Sequence, residues 1–203
     1  MNIQKYFNFK NDSSFDLNSF FVNNTNKEAF DLISNHNSYK NIILFGPNKS
    51  GKSHLANIWK KNNDALIYIK KNIEKIISQK KNVLIDNLFI NLNEENVFHI
   101  INHCTSNNLK ILITSNMYLF EYNFKILDLL SRLKVFNHVS INKPDNDILV
   151  NVLTKLLTEK QFIIKNKNIF DFLLNRVNRT YEDIFNLVNK MDKLSLEQKR
   201  QIT

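Results

Sequence analysis

The chain has 203 residues and a formal net charge of +9, from 28 Lys and Arg against 19 Asp and Glu. It has only 2 Gly, 2 Pro and 1 Cys, which excludes collagen-like and Gly/Pro-rich disordered chains, disulfide scaffolds and metal sites built from cysteines. No apolar run approaches the roughly 18 residues of a membrane span, and the first residues lack the features of a secretory signal. We therefore expect a cytoplasmic protein with no membrane partner.

An α/β rhythm begins near Asn41 and predicts a parallel sheet covered on both faces. The predicted strands are 42–45, 66–69, 83–85, 109–114 and 135–141. The predicted helices between them are 53–61, 72–78, 94–106 and 127–133. This alternation indicates an α/β fold with a five-stranded parallel sheet.

After Pro144 the pattern becomes entirely helical. Helices are predicted at 148–157, 169–174 and 181–191, with a short fourth helix at 196–203. We expect three parts: a flexible segment over 1–12, a nucleotide-binding α/β domain over 13–143 and a small all-helical domain over 144–203.

A phosphate-binding loop follows the first predicted strand. Residues 46–53 read Gly-Pro-Asn-Lys-Ser-Gly-Lys-Ser, which is the G-x-x-x-x-G-K-S pattern between a strand and a helix. Backbone N–H groups of such a loop wrap the phosphates, so glycine is needed where the turn is tight. Both glycines of this Gly-poor chain fall at the required positions. The candidate nucleotide-binding residues are Gly46, Pro47, Asn48, Lys49, Ser50, Gly51, Lys52, Ser53 and His54.

The expected ligand is ADP or ATP with Mg²⁺. Lys52 would reach the β- and γ-phosphates, and the Ser53 hydroxyl would ligate the metal. Asp86, at the end of the third predicted strand, is the second candidate metal ligand, although Asp at a strand end is also common in plain turns. Asn116, after the fourth strand, is a candidate to orient water near the γ-phosphate, or a simple loop residue. Asn87 follows Asp86, and because an amide cannot act as a base, we expect slow intrinsic hydrolysis.

Charge alone does not single out a nucleic-acid surface, because the lysines are spread along a Lys- and Asn-rich chain. Arginine is more informative. The chain has only Arg132, Arg176, Arg179 and Arg200. In a chain that otherwise uses Lys, an Arg is expected where a planar, permanently charged group is needed.

With these residues identified, the sequence resembles the DnaA/Hda family of AAA+ ATPases over nearly its whole length. The Asn of Ile85-Asp86-Asn87 and the Ser131-Arg132-Leu133 element are part of the resemblance. The matching segments are 15–29, 51–56, 85–87, 127–133, 144–145 and 194–203. The resemblance implies an AAA+ core followed by a helical lid, with Phe21 and Val22 in a segment that lies against adenine.

The resemblance also implies a role for Arg132 as an arginine finger that points at a neighbouring subunit's nucleotide. Such a guanidinium neutralises charge developing on the transferred phosphoryl group. An ordinary alternative is a charge at the end of the helix over 127–133. Arg179 resembles a lid arginine that contacts nucleotide, while Glu182 occupies the place of another. Thr180 and Asp183 also fit a helix capping box with no ligand.

Two further features concern partners. Gln4, Phe7 and Phe9 have the spacing of a peptide that binds a sliding clamp, although Lys5 departs from the pattern and a disordered Phe-bearing segment is the alternative. Because the chain ends at Thr203, we expect no DnaA-type helix-turn-helix domain and only indirect or non-specific DNA contact. A homo-oligomer is compatible with the family.

The resulting hypothesis is a regulator of replication initiation that stimulates hydrolysis of ATP bound to the DnaA initiator. A second hypothesis is a DnaA-like adaptor or loader that uses nucleotide as a switch, without a catalytic role. A small-molecule kinase is disfavoured, because such enzymes carry Arg-rich substrate lids and this helical region has three Arg.

Overall fold

A computed structural model describes residues 20–34, 39–90, 92–164, 166 and 168–198. Within them, five strands form one parallel sheet in the order β2-β3-β4-β1-β5. The strands are β1 (Asn41–Phe45), β2 (Leu66–Ile67), β3 (Val83–Ile85), β4 (Ile111–Ser115) and β5 (Asn137–Ser140). The predicted five-stranded parallel sheet is confirmed.

Eight α-helices accompany these strands in the described part of the chain. They are α1 (Lys27–Ser34), α2 (Lys52–Asn62), α3 (Ile73–Ser78), α4 (Glu94–Ser106), α5 (Leu127–Lys134), α6 (Asn146–Glu159), α7 (Asn168–Leu174) and α8 (Tyr181–Gln198). A short 3₁₀ turn covers Leu119–Glu121. None of the described helices is long and apolar enough to cross a membrane.

Side chains alternate between the two faces of β1 and build a separate core on each. Ile43 and Phe45 pack with residues of α3, α4 and α5. Ile42 and Leu44 pack with residues of α1 and α2. Because both faces are covered, β1 is apolar from Ile42 to Phe45, and all four of these residues are buried.

A third core lies within α6, α7 and α8. Its buried side chains are Leu149, Leu153, Leu157, Leu174, Ile184 and Val188. Asp145 caps the start of α6, and its Oδ1 accepts a hydrogen bond of 2.8 Å from the Ile148 N–H. The small all-helical lid is therefore present, while the exact boundary at residues 143 and 144 stays a prediction.

The bounds of several predicted elements differ from the structure, and β5, predicted at 135–141, covers only Asn137–Ser140. Strand β2 stops at Ile67 and not at residue 69, because the Asn72 side chain bonds the Ile67 carbonyl and the Ile69 N–H. The separate helices predicted at 181–191 and 196–203 are wrong. No Gly or Pro interrupts residues 192–195, so α8 continues to Gln198, and residues 199–203 lie outside the described part.

Candidate nucleotide-binding site

The phosphate loop lies at the carboxyl edge of the sheet, where β1 leads into α2. Strand β1 lies in the interior of the sheet, with β4 on one side and β5 on the other. Because all strands are parallel, the residues that follow β3 and β4 are brought to the same edge. Asp86 and Asn116 thereby approach the loop.

The two glycines of the loop are required by its backbone. Gly51 has φ 95°, a left-handed conformation that side chains disfavour. A Cβ on Gly51 would lie 2.8 Å from Phe20 Cε2, and one on Gly46 would lie 2.9 Å from Ser50 Oγ and 3.1 Å from the Ile141 carbonyl. The loop is thus packed too tightly for side chains at either position, as a phosphate cradle requires.

Lys52 is buried inside this loop, with 8% of its surface exposed. Its Nζ donates hydrogen bonds of 2.8 Å to the Gly46 carbonyl and 2.7 Å to the Pro47 carbonyl. Burial lowers the pKa of Lys52 to about 8, and the negative charge of Asp86 opposes that shift. The ammonium group is therefore held by loop carbonyls, and its pKa lies close to neutral pH.

Ser53 and Asp86 are brought together as the sequence predicted. The Ser53 hydroxyl donates to Asp86 Oδ1 over 3.2 Å. A hydroxyl and a carboxylate oxygen are the ligand types that Mg²⁺ accepts, with its remaining ligands from water and phosphate. Among the described residues no group of three or more His, Cys, Asp or Glu could hold a metal. The pair fits Mg²⁺ bound together with a phosphate ligand.

Thr114 is a member of this site that the sequence analysis did not single out. Its buried hydroxyl donates to Asp86 Oδ1 over 2.6 Å and accepts from the Asn87 N–H over 2.7 Å. Asn87 has φ 59°, and its Oδ1 is buried without a hydrogen-bond partner among the described residues. One hydroxyl therefore fixes both the Asp86 carboxylate and the backbone that follows it. The sequence feature that could have indicated this role is a polar residue within the buried strand β4, which pairs with β3.

A chain of side chains joins the lid, the phosphate loop and the end of β4. Asn116 Nδ2 donates to Asn48 Oδ1 over 3.0 Å, and Asn48 Nδ2 donates to Glu182 Oε2 over 3.3 Å. Lys49 Nζ lies 4.3 Å from the ring centroid of Phe185, on the same face of α8. The first turns of α8 thus contact the loop directly.

The segment before α1 also contacts the loop, through Phe20. Phe20 stacks on Phe30 at 5.8 Å and lies 5.5 Å from the His54 ring. Phe21 is 44% exposed and Val22 is half-buried. The aromatic side chain against the loop is therefore that of Phe20, the neighbour of the two residues named from sequence.

Arg132 and Arg179 form no hydrogen bond or ion pair with the described residues of the loop. Arg132 is exposed in the last turn of α5, with its guanidinium 5.3 Å from the ring centroid of Phe98. Arg179 is also exposed. Thr180 instead caps α8, accepting from the Asp183 N–H over 3.1 Å and donating to its carboxylate over 2.8 Å. Gln4, Phe7 and Phe9 lie outside the described residues.

A family model of the lid domain of Hda matches residues 148–203. These residues are therefore similar to an Hda lid domain. They include α7 and α8, which pack together in the lid core, and α8 contacts the phosphate loop through Glu182. The resemblance to the DnaA/Hda family of AAA+ proteins is confirmed.

Solved structures agree on the fold of the whole described chain. Domain III of the replication initiation protein DnaA from Thermotoga maritima matches with a TM-score of 0.75 and 16% identity, covering 94% of this chain and 92% of that one. AMPPCP-bound DnaA from Aquifex aeolicus matches with a TM-score of 0.70 and 19% identity, covering 90% of this chain and 66% of that one. The Hda-like chain thus spans about two thirds of the length of that DnaA. Its fold is an AAA+ core followed by a helical lid.

A DnaA bound to AMPPCP and single-stranded DNA also matches, with a TM-score of 0.70 and 20% identity over 92% of this chain and 68% of that one. No curated protein matches the chain at a significant level.

Proposed function

We propose that this Hda-like chain is a nucleotide-binding regulator of DNA replication initiation that stimulates hydrolysis of ATP bound to DnaA. The Hda lid domain, together with the DnaA-like AAA+ core, supports a DnaA-related replication regulator. The observation that carries the proposal is the contact between this lid and the phosphate loop, through Glu182 and Asn48.

Nucleotide binding is supported by the loop and by its structural relatives, two of which are bound to AMPPCP. In our proposal the loop N–H groups and Lys52 hold the phosphates of ADP or ATP. Ser53 and Asp86 hold Mg²⁺, which neutralises phosphate charge, and Thr114 positions Asp86. Asn116 lies one hydrogen bond from the loop and acts there as the polar residue next to the terminal phosphate. Phe21 and Val22 stay our predicted adenine contacts, and Arg179 a predicted nucleotide contact.

The proposed role of Arg132 is in trans. Its exposed position on α5, away from the loop hydrogen bonds of its own chain, leaves the guanidinium accessible to the nucleotide of a docked DnaA. Charge neutralisation by such a group is worth roughly 10³–10⁵ in rate in GTPases. Because Asn87 supplies no general base, stimulation of DnaA is expected to exceed hydrolysis by this chain itself.

The test is the ATPase rate of DnaA with the sliding clamp, DNA and this protein. We expect Arg132→Ala to lose at least about tenfold of the stimulation, while ADP affinity stays unchanged. Arg176→Ala is the matched control, because Arg176 is also exposed and also lies over an aromatic ring, that of Phe172 at 3.5 Å. Equal stimulation by Arg132→Ala and wild type would show that the finger assignment is wrong.

Dependence on the clamp is a separate part of the proposal and concerns Gln4, Phe7 and Phe9. We expect the double variant Phe7→Ala, Phe9→Ala to lose its retention on immobilised clamp. The stimulation of the DnaA ATPase should be lost together with it. If retention is lost but stimulation is not, the clamp has no role in the reaction.

The second candidate is an adaptor that uses nucleotide only as a switch. It is favoured by Asn87, whose amide replaces a base and whose Oδ1 is buried without a described partner. An adaptor would bind DnaA in pull-down experiments with wild type and with Arg132→Ala alike, and would leave the DnaA ATPase rate unchanged.

A further inference from the structure

Positive charge is concentrated in one part of the chain. Residues 40–81 contain ten Lys but only two acidic residues, Asp64 and Glu74, whereas the whole chain has a net charge of +9. Basic residues therefore outnumber acidic residues much more strongly in this segment than in the whole chain. The fold then decides which of them share a surface.

Two of these lysines, Lys40 and Lys81, lie with Lys110 at the amino edge of the sheet, opposite the phosphate loop. The Lys40 carbonyl accepts from the Ile111 N–H over 2.8 Å, and the Lys110 carbonyl accepts from the Val83 N–H over 3.0 Å. Lys40, Lys110 and Asn82 thus precede three adjacent strands, which are spaced about 5 Å apart. Lys81, next to Asn82, lies on the same edge.

The end of α2 adds two more. Lys60 and Lys61 line one shallow surface depression together with Asp64 and Ala65. Asp64 forms an ion pair of 2.8 Å with Lys81, so the depression is continuous with the sheet edge. The shared surface, here called the basic edge, comprises Lys40, Lys60, Lys61, Lys81 and Lys110.

The charge of the basic edge is largely uncompensated. Lys40 Nζ donates to Asn108 Oδ1 over 2.5 Å, and Lys110 Nζ donates to Asn63 Oδ1 over 3.2 Å. These amide oxygens orient the ammonium groups but carry no charge. Among the described residues, the other three ion pairs all lie in the lid. Of the described carboxylates, only Asp64 forms an ion pair with one of the four lysines Lys40, Lys60, Lys61 and Lys81.

We propose that the basic edge binds the phosphate backbone of duplex DNA without reading its sequence. Ammonium groups act as point charges for phosphates, and asparagine side chains supply hydrogen bonds without adding negative charge. Phosphate contacts of this kind position a protein on DNA but do not specify a base sequence. Since the basic edge lies opposite the phosphate loop, DNA and nucleotide do not compete for it.

The experiment measures the fluorescence anisotropy of a labelled duplex of arbitrary sequence at several salt concentrations. The edge variant carries Lys40→Gln, Lys61→Gln and Lys81→Gln. The matched control carries Lys155→Gln, Lys160→Gln and Lys193→Gln, which remove the same charge from the lid. We expect the edge variant to bind at least about tenfold more weakly at low salt, with a salt slope reduced by about 2 to 3, since each phosphate contact contributes about 0.9. The control keeps the wild-type slope.

Folding is checked by the thermal unfolding midpoint and by ADP affinity, which the edge variant retains. Because Lys81→Gln also breaks the pair with Asp64, a Lys40→Gln, Lys61→Gln double variant repeats the test with that pair intact. Equal weakening by the edge and lid variants overturns the proposal, because net charge alone then explains binding. No duplex binding by wild type, or binding only to phosphatidylglycerol vesicles, overturns it as well.

Discussion

Glu182, in the first turn of the lid helix α8, accepts a hydrogen bond of 3.3 Å from Asn48 of the phosphate loop. Asn48 in turn accepts one of 3.0 Å from Asn116, at the end of β4. A carboxylate is thereby fixed beside the loop proposed to bind phosphates. Its charge acts on any ligand there over a short distance.

The first prediction concerns Glu182→Gln. Removing this negative charge should tighten binding of ATP more than that of ADP, because the triphosphate carries more negative charge. We expect ATP affinity to rise about three- to tenfold relative to ADP affinity, because one additional ligand charge interacting with the exposed Glu182 carboxylate is worth about 1 kcal/mol in a water-like dielectric. Titration calorimetry with both nucleotides measures it.

Glu197→Gln is the control, since Glu197 lies on the same helix in an exposed pair with Lys193. It should leave both affinities unchanged. The electrostatic argument is refuted if Glu182→Gln alters ADP and ATP affinity by the same factor.

The second prediction concerns the pH dependence of nucleotide binding. The pKa of Lys52 is lowered to about 8 by burial, and its protonated form attracts phosphate. Between pH 7 and pH 9 the protonated fraction falls from about nine tenths to about one tenth, so ADP affinity should fall about fivefold to tenfold. A Lys52→Arg variant should show a flatter profile, because guanidinium stays charged at pH 9.

The lowered pKa of Lys52 has opposite effects on ADP affinity and on stability as the pH rises. The folded protein releases this proton at lower pH than the unfolded chain, so the unfolded chain binds more protons between pH 8 and 10.5. The contribution of Lys52 to the free energy of unfolding therefore rises with pH in that range. A flat affinity profile from pH 7 to 9 would contradict the assignment of the lowered pKa to Lys52.

The third prediction concerns Thr114→Val, which keeps the side-chain shape and removes the hydroxyl. The buried Asn87 N–H then loses its acceptor and Asp86 loses a donor. We expect the free energy of unfolding to fall by about 1–3 kcal/mol, the usual cost of an unsatisfied buried group. Urea denaturation measures it.

Thr114→Ser restores the hydroxyl and should recover most of the stability. The Mg²⁺ dependence of ADP affinity should weaken in Thr114→Val and be retained in Thr114→Ser. If Thr114→Val is as stable as wild type, the hydroxyl does not hold this part of the site together.

Much of the fold follows from local pattern, because β1, β3 and β4 are short and largely apolar runs, as expected for strands that are covered on both faces. The phosphate loop was equally accessible, since its spacing and glycines are local features of the chain. The length of β2 could not be predicted in this way. The strand ends early because the Asn72 side chain, three residues beyond the predicted last strand residue Ile69, bonds the Ile67 carbonyl and the Ile69 N–H.

The remaining site contacts depend on tertiary structure. The bond between Asn48 and Glu182 joins residues 134 positions apart, and no spacing in the sequence indicates it. Thr114 is a β-branched residue in a buried strand. Its presence there is explained by strand propensity alone, so the sequence gives no sign of its hydrogen bonds to Asp86 and Asn87. Phe20 and Phe21 are adjacent aromatic residues, and only packing against Gly51 and His54 distinguishes them.

The fourth prediction concerns Gly51→Ala and its coupling to Phe20. Alanine at φ 95° is strained, and its Cβ would lie 2.8 Å from Phe20 Cε2. We expect the free energy of unfolding to fall by about 1–3 kcal/mol, the range for residues held in disfavoured backbone regions. Phe20→Ala removes the steric part of this cost but leaves the backbone part. In a double-mutant cycle by urea denaturation, Gly51→Ala should therefore cost less in the Phe20→Ala background than in wild type, by at least about 0.5 kcal/mol. An additive cycle would mean that Phe20 does not press on the loop, and that the need for glycine at position 51 comes from the backbone alone.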